Sequence, residues 1–278
     1  MRLSFATFAA LFIFLMVETD FLTYTLPNGI RLIHKHTDSP VGHLGILINT
    51  GSRDEEADEH GLAHFIEHSV FKGTSKRKAF HILSRIEDVG GELNAYTTKE
   101  ETTLYSTFLA EFYERTAELL SDILFNSTYP EKELKREKEV VLEEINSYKD
   151  SPSELIFDEF EELVYDGHPI ARNILGNPQN LAAFNRDSIL RFINNNYHTN
   201  EMVISSVGKI DFNALIKLTE RYFGQAHARL RKNGRIKFEN YVPEVRVTER
   251  DTFQSHCMMG NIAYDVMHPK RIAMVLLN

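Results

Sequence analysis

The chain has 278 residues, long enough for one large domain or one and a half smaller ones, and its 42% apolar and 26% charged content is that of a globular protein. A net charge of −9 argues against a nucleic-acid partner, which would favour a basic face. The single cysteine, Cys257, excludes an intrachain disulfide and a thiolate zinc cluster, so any bound metal must be held by histidine and carboxylate.

Arg2 is followed by an apolar run from Leu3 to Val17. That run suits a signal-peptide core and falls short of the roughly 20 residues needed to span a bilayer. No small-x-small cleavage site follows it, and Met16 could equally be the true start. Residues 1–20 are therefore either an export or membrane-association segment or a misassigned start; in the second case the protein is cytoplasmic. Beyond them, "FLTYTLPNGIRLIHKH" reads as strand, turn and strand, with Pro27-Asn28-Gly29 supplying turn chemistry, and "VGHLGILINTGS" as a further strand. An acidic cluster (Asp54, Glu55, Glu56, Asp58, Glu59) precedes a helix from about Gly61, where negative side chains favourably meet the positive end of the helix dipole.

"AFHILSRIEDVG" predicts an amphipathic helix closed by Gly90-Gly91, and "ELNAYTTKEETTLYSTF" alternates as a hairpin does. Helices are expected over 110–126 and 131–148, then a shorter one at "DSILRFINNNY" and a strand at "EMVISSVGKI". Residues 228–244 are polar, basic and broken by turns, and read as a linker. After it, "QSHCMMGNIAYD" resembles a new strand and "HPKRIAMVLLN" the opening of a helix. Strands and helices intersperse without strict βαβ alternation, which predicts an α+β fold: a mainly antiparallel sheet with helices packed on it. The expected domains are 21–227, the linker 228–244, and an unfinished second domain over 245–278.

The chemistry concentrates in "HFIEH", residues 64–68. At about 100° per residue, His64 and His68 lie about 40° apart, one turn above the other, and Glu67 lies about 60° to one side of His64. The letters run opposite to the common His-Glu-x-x-His order, yet they keep two imidazoles for one tetrahedral zinc and a carboxylate beside the open position. His60, four residues before His64, could complete a three-histidine ladder, but Gly61 places it at the frayed helix start. On helix 131–148, Leu134, Val140, Val141, Leu142, Ile145 and Tyr148 project to one apolar face, with Glu139, Glu143, Asn146 and Ser147 opposite. Glu137 and Glu144 fall at the edge of the apolar face. A carboxylate there needs a partner, and a metal, a salt bridge or an escape to solvent would each supply one.

Together, "HGLAHFIEHSVFKGT", "GGELNAYTTKEETTLY", "EKEVVLEEI" and "YDGHPIARNILG" resemble the pitrilysin/insulinase family of inverted-motif zinc peptidases, nearest to the branch of the mitochondrial processing peptidase and its bacterial relatives. The resemblance runs from about Phe21 to the chain end. It implies one Zn2+ per chain held by His64, His68 and Glu144, with Glu67 as general base and Glu137 supporting the site from behind. It also implies that Asn94 and Ala95 lie on an edge strand that binds peptide substrate by strand addition, and that His168-Pro169 is structural. The expected function is zinc-dependent endopeptidase action on peptides or unfolded segments. The alternatives are a non-catalytic, peptide-binding partner subunit of a processing peptidase, or an inactive fragment. Family members carry a second domain with an Arg/Tyr pair that holds substrate. No such motif occurs in 245–278, so another chain or a further domain is expected to complete the cleft.

Overall fold

The structure is a computed structural model that describes residues 20–231, 234–251 and 253–278; the expectation for the N-terminal apolar segment falls outside the described residues. Six strands form one sheet: β1 (Phe21–Thr25), β2 (Arg31–His36), β3 (Val41–Ile48), β4 (Glu92–Thr97), β5 (Thr102–Leu109) and β6 (Met202–Gly208). Their order is β1-β2-β6-β3-β5-β4. Every neighbouring pair is antiparallel except β2 and β6, which run parallel. The Pro-Asn-Gly turn between β1 and β2 forms as its residues require, with Gly29 at φ +95° and the Leu26 N–H donating to the Ile30 carbonyl.

Alternation along β3 buries Leu44, Ile46 and Ile48, which join Leu104 of β5 and Ile204 of β6 in the core. The helices are α1 (Leu62–Ser69), α2 (Ala79–Glu87), α3 (Tyr113–Asn126), α4 (Glu131–Lys149), α5 (Pro152–Val164), α6 (Pro178–Ala183), α7 (Arg186–Asn196), α8 (Phe212–Phe223) and α9 (Arg271–Leu277). Leu119, Leu120 and Ile123 of α3, Phe192 of α7, and Leu215 and Phe223 of α8 belong to the same core. The α+β architecture expected from the sequence is the one observed. Helices α5, α6 and α8 lie in stretches where no element was expected. For α8 a signal was present, since Asp211 caps it by accepting from the Ala214 N–H and Leu215, Thr219 and Phe223 recur at helical spacing.

Two expectations need correcting. The stretch 254–265 carries no strand, and Met259 stands 95% exposed. The buried line of α4 is narrower than the projection suggests: Leu134, Glu137, Val141 and Ile145 are buried, while Val140 and Leu142 are exposed.

The described residues of 228–244 carry no helix or strand, and those from Arg231 to Phe238 are held down as a strap. Arg231 Nη2 and Arg235 Nη2 each donate to the Asp54 carboxylate at 2.6 Å, and Arg235 Nε donates to it at 3.0 Å. Arg231 also reaches the Asn49 carbonyl and Arg235 the Glu100 carbonyl. Arg53 and His168 both bind the Ile236 carbonyl, and Phe238 packs edge-on against Tyr165 and His168. The strap roofs a polar cleft of about 620 Å³. Asp54 is buried, which alone raises its carboxyl, but the two guanidiniums and the Gly51 N–H outweigh burial and hold it below the ordinary carboxylate value.

Candidate metal centre

Helix α1 is eight residues long and almost wholly buried: Leu62, Ala63, Phe65 and Ile66 all sit in the core. That packing turns the opposite side of the helix, with His64, Glu67 and His68, towards α4 and β4. The imidazoles stack edge to face with centroids 4.6 Å apart. Across the gap, Glu144 of α4 places its Oε2 3.3 Å from His68 Nε2 and 3.7 Å from His64 Nε2. His64, His68 and Glu144 each offer a ligand atom, all within 4.8 Å of one another. Tetrahedral zinc with ligands near 2.05 Å spaces its donors about 3.3 Å apart, and the cluster is compatible with such an ion in donor chemistry and in its 3.3 and 3.7 Å separations. Glu143 is exposed, as the helical projection expects.

The electrostatics are those of a metal-ready site. Burial and the neighbouring His68 push His64 down to about 4, so it is a neutral imidazole with a free lone pair. Burial also lowers His68, but the carboxylates of Glu137, Glu144 and Glu67 more than reverse this and leave it raised. Glu137, itself buried on α4, accepts from His68 Nδ1 at 3.0 Å and pairs with Lys72 at 2.6 Å. That bond fixes the His68 tautomer and aims Nε2 at Glu144. His64 Nδ1 is buried with no hydrogen-bond partner among the described residues, so the two imidazoles are held differently.

Glu67 lies between this cluster and β4. Burial raises its carboxyl, partly offset by the nearby Thr97 of β4 and by His68. β4 is the end strand of the sheet, bonded to β5 alone among the described residues. Asn94 and Tyr96 face outward and Leu93, Ala95 and Thr97 inward, so Asn94 and Ala95 sit on opposite faces of the strand. His60 does not approach the cluster; its Nε2 binds the Asn173 carbonyl 2.9 Å away.

Two site-supporting residues escaped sequence reasoning. Lys72 lies one turn beyond His68, and only the fold shows it reaching Glu137. Glu55 is 3% exposed, and its carboxylate accepts from the N–H groups of Gly61 at 3.0 Å and Ala63 at 2.8 Å, at the start of α1. Burial outweighs these donors and Arg172 and leaves its carboxyl raised to about 8. Each oxygen accepts from a different N–H of the first turn.

Residues 31–178 match Insulinase (Peptidase family M16), and residues 183–278 match the Peptidase M16 inactive domain. The chain is 35% identical over 256 residues to the uncharacterized zinc protease YmxG of Bacillus subtilis, covering 92% of this chain and 62% of that protein. It is 34% identical over 201 residues to the mitochondrial-processing peptidase subunit beta of Caenorhabditis elegans, covering 72% and 44%. In fold it is similar to a protease from Helicobacter pylori (TM-score 0.72, 24% identity, 79% of this chain and 53% of that one). It is likewise similar in fold to pitrilysin (TM-score 0.72, 19% identity, 80% and 24%). With one family match spanning more than half of its length and carrying the His/His/Glu cluster, this chain belongs to the insulinase family of peptidases, family M16.

Proposed function

We propose that this chain supplies the metal-binding half of a zinc-dependent endopeptidase that takes peptides or unfolded segments. The observation that carries this reading is the convergence of His64, His68 and Glu144 beside a partly buried Glu67 and the free edge of β4. The residues placed to hold one Zn2+ are His64, His68 and Glu144, with Glu137 orienting His68. When bound there, the ion supplies Lewis acidity towards a scissile carbonyl and an attacking water. An extended peptide added to β4 would bond backbone to backbone beside Asn94 and Ala95, which fixes its path and leaves side-chain preference loose. Glu67 then stands at the peptide, able to take a proton from the attacking water at its carboxylate and return it to the leaving amine.

In this reading 21–227 is the catalytic domain, 228–244 the linker, and 245–278 the beginning of a second unit. The chain spans 62% and 44% of the two relatives named above, so hydrolysis is proposed for the assembly in which a further unit, in cis or from another chain, closes the cleft. A second reading has its own support: a peptide-binding subunit that serves a partner peptidase. The match of 183–278 to an inactive domain and the likeness to a processing-peptidase subunit favour it. Zinc content and peptide cleavage, measured together for wild type and Glu67→Gln, separate the two. The catalytic reading expects stoichiometric zinc in both and cleavage in wild type only. Zinc without cleavage by wild type, even with a second unit supplied, favours the subunit role.

A further inference from the structure

Three residues of the proposed site ride on one two-turn helix, so whatever fixes the axial position of α1 also fixes the site. The helix lacks a conventional start. Gly61 occupies the cap position in the left-handed region (φ +96°) and has no side chain with which to cap. The acceptor comes instead from six residues upstream, where Glu55 takes the Gly61 and Ala63 N–H groups with one oxygen each. Ala63 directly precedes His64. Glu55 cannot drift, because Arg172 holds its carbonyl at 2.9 Å and the Glu56 carbonyl at 3.0 Å. The loop carrying Arg172 is held in turn: Asn173 binds His60, and Gly176 sits so close to Gly61 that an added Cβ on it would approach the Gly61 Cα to 2.5 Å.

We propose that Glu55 is a positioning residue for the metal centre: its two-pronged grip on the first turn of α1 sets the height of His64 and His68 against Glu144. The inference rests on the assignment of those three residues as metal ligands. It distinguishes Glu55 from the other carboxylates of the acidic run: Asp54 serves the strap, Glu59 accepts from the Glu56 N–H in its own loop, and Glu56 and Asp58 are exposed. A carboxylate placed merely to complement the helix dipole would stabilise α1 without controlling where it sits; two directed bonds from one rigid group also control its axial position.

The test uses the full chain, zinc competition with a chromogenic chelator, and the visible spectrum of the cobalt-substituted protein. Glu55→Gln keeps the volume but turns an NH2 towards one of the two N–H donors. Zinc affinity is expected to fall about tenfold or more, in the range that ligand-supporting residues control, and the cobalt bands are expected to shift. Leu215→Ala, in the distant α8, serves as the matched control. It should lower thermal stability while leaving zinc affinity and cobalt bands as in wild type. Glu55→Gln binding zinc within twofold of wild type with an unshifted cobalt spectrum overturns the positioning role alone. Wild type that binds no zinc overturns this role and the functional assignment together. A Leu215→Ala loss of zinc affinity equal to that of Glu55→Gln shows a stability effect only, and also overturns it.

Discussion

At the scale of single residues, the site separates ligands from the groups that hold them. Glu144 is 43% exposed on its side chain, so it has no structural task in the core, and its position near both imidazole Nε2 atoms is the one the proposed shared cation requires. Glu144→Gln is expected to weaken zinc binding far more than tenfold, whereas Glu143→Gln and His60→Ala leave it nearly unchanged; metal analysis after dialysis gives the ranking. Lys72 acts one step further out. Lys72→Met leaves Glu137 buried beside His68 without its cation, and a roughly tenfold loss of zinc affinity is expected by competition titration. The histidine pair and Glu67 could be read from the letters because a helix converts a spacing of four into adjacency. Glu144 needed both a projection and a family likeness. Glu55 could not be read at all: five carboxylates precede α1, and only the fold shows which of them reaches the N–H groups of its first turn.

At the scale of elements, two clamps hold the site's surroundings. The first is the glycine contact between the start of α1 and the loop before α6. Gly176 has φ +76°, and an added Cβ would come within 2.5 Å of the His60 carbonyl oxygen. Gly176→Ala should therefore destabilise the protein by about 2 kcal/mol or more, seen as a lower melting temperature. The second clamp is the strap on Asp54. Because that carboxyl is held below its unfolded value, its contribution is complete at pH values above about 4 and fades as pH falls through the unfolded and then the folded pKa. Acidification below about pH 4 should then expose 229–238 to an acid-active protease, and Asp54→Asn should show the same exposure at neutral pH. The basic, turn-rich composition of this segment identifies a connection without regular structure. It does not say that the connection is bolted down, because the partners of Arg231 and Arg235 lie some 180 positions away in the sequence.

At the scale of the whole molecule, the sheet and its helices form one core, while the last thirty or so residues expose apolar side chains. Val275, Leu276 and Leu277 of α9 are each 70% exposed or more, and Met259 and Met267 are similarly bare. Surfaces of that kind invite contact. Sedimentation velocity should show concentration-dependent association, reduced by Leu276→Lys with Leu277→Lys; a sharp monomer peak at all concentrations would contradict this.

The position of β6 has a consequence for how the protein comes into being. Strands 1 to 5 leave the ribosome as two separate pieces, a β1–β2 hairpin and a three-stranded β3–β5–β4 unit, and β6 joins them only when residues 202–208 arrive. Until then β2 and β3 each present an open edge with apolar side chains beside it, a state prone to pairing with other chains. His64, His68 and Glu144 have all emerged by that stage, yet the sheet beneath them is still in two parts. The joining step closes contacts across some 170 residues, so folding should be slow for a domain of this size. A nascent chain arrested before Met202 would already contain every proposed ligand without the continuous sheet that supports them.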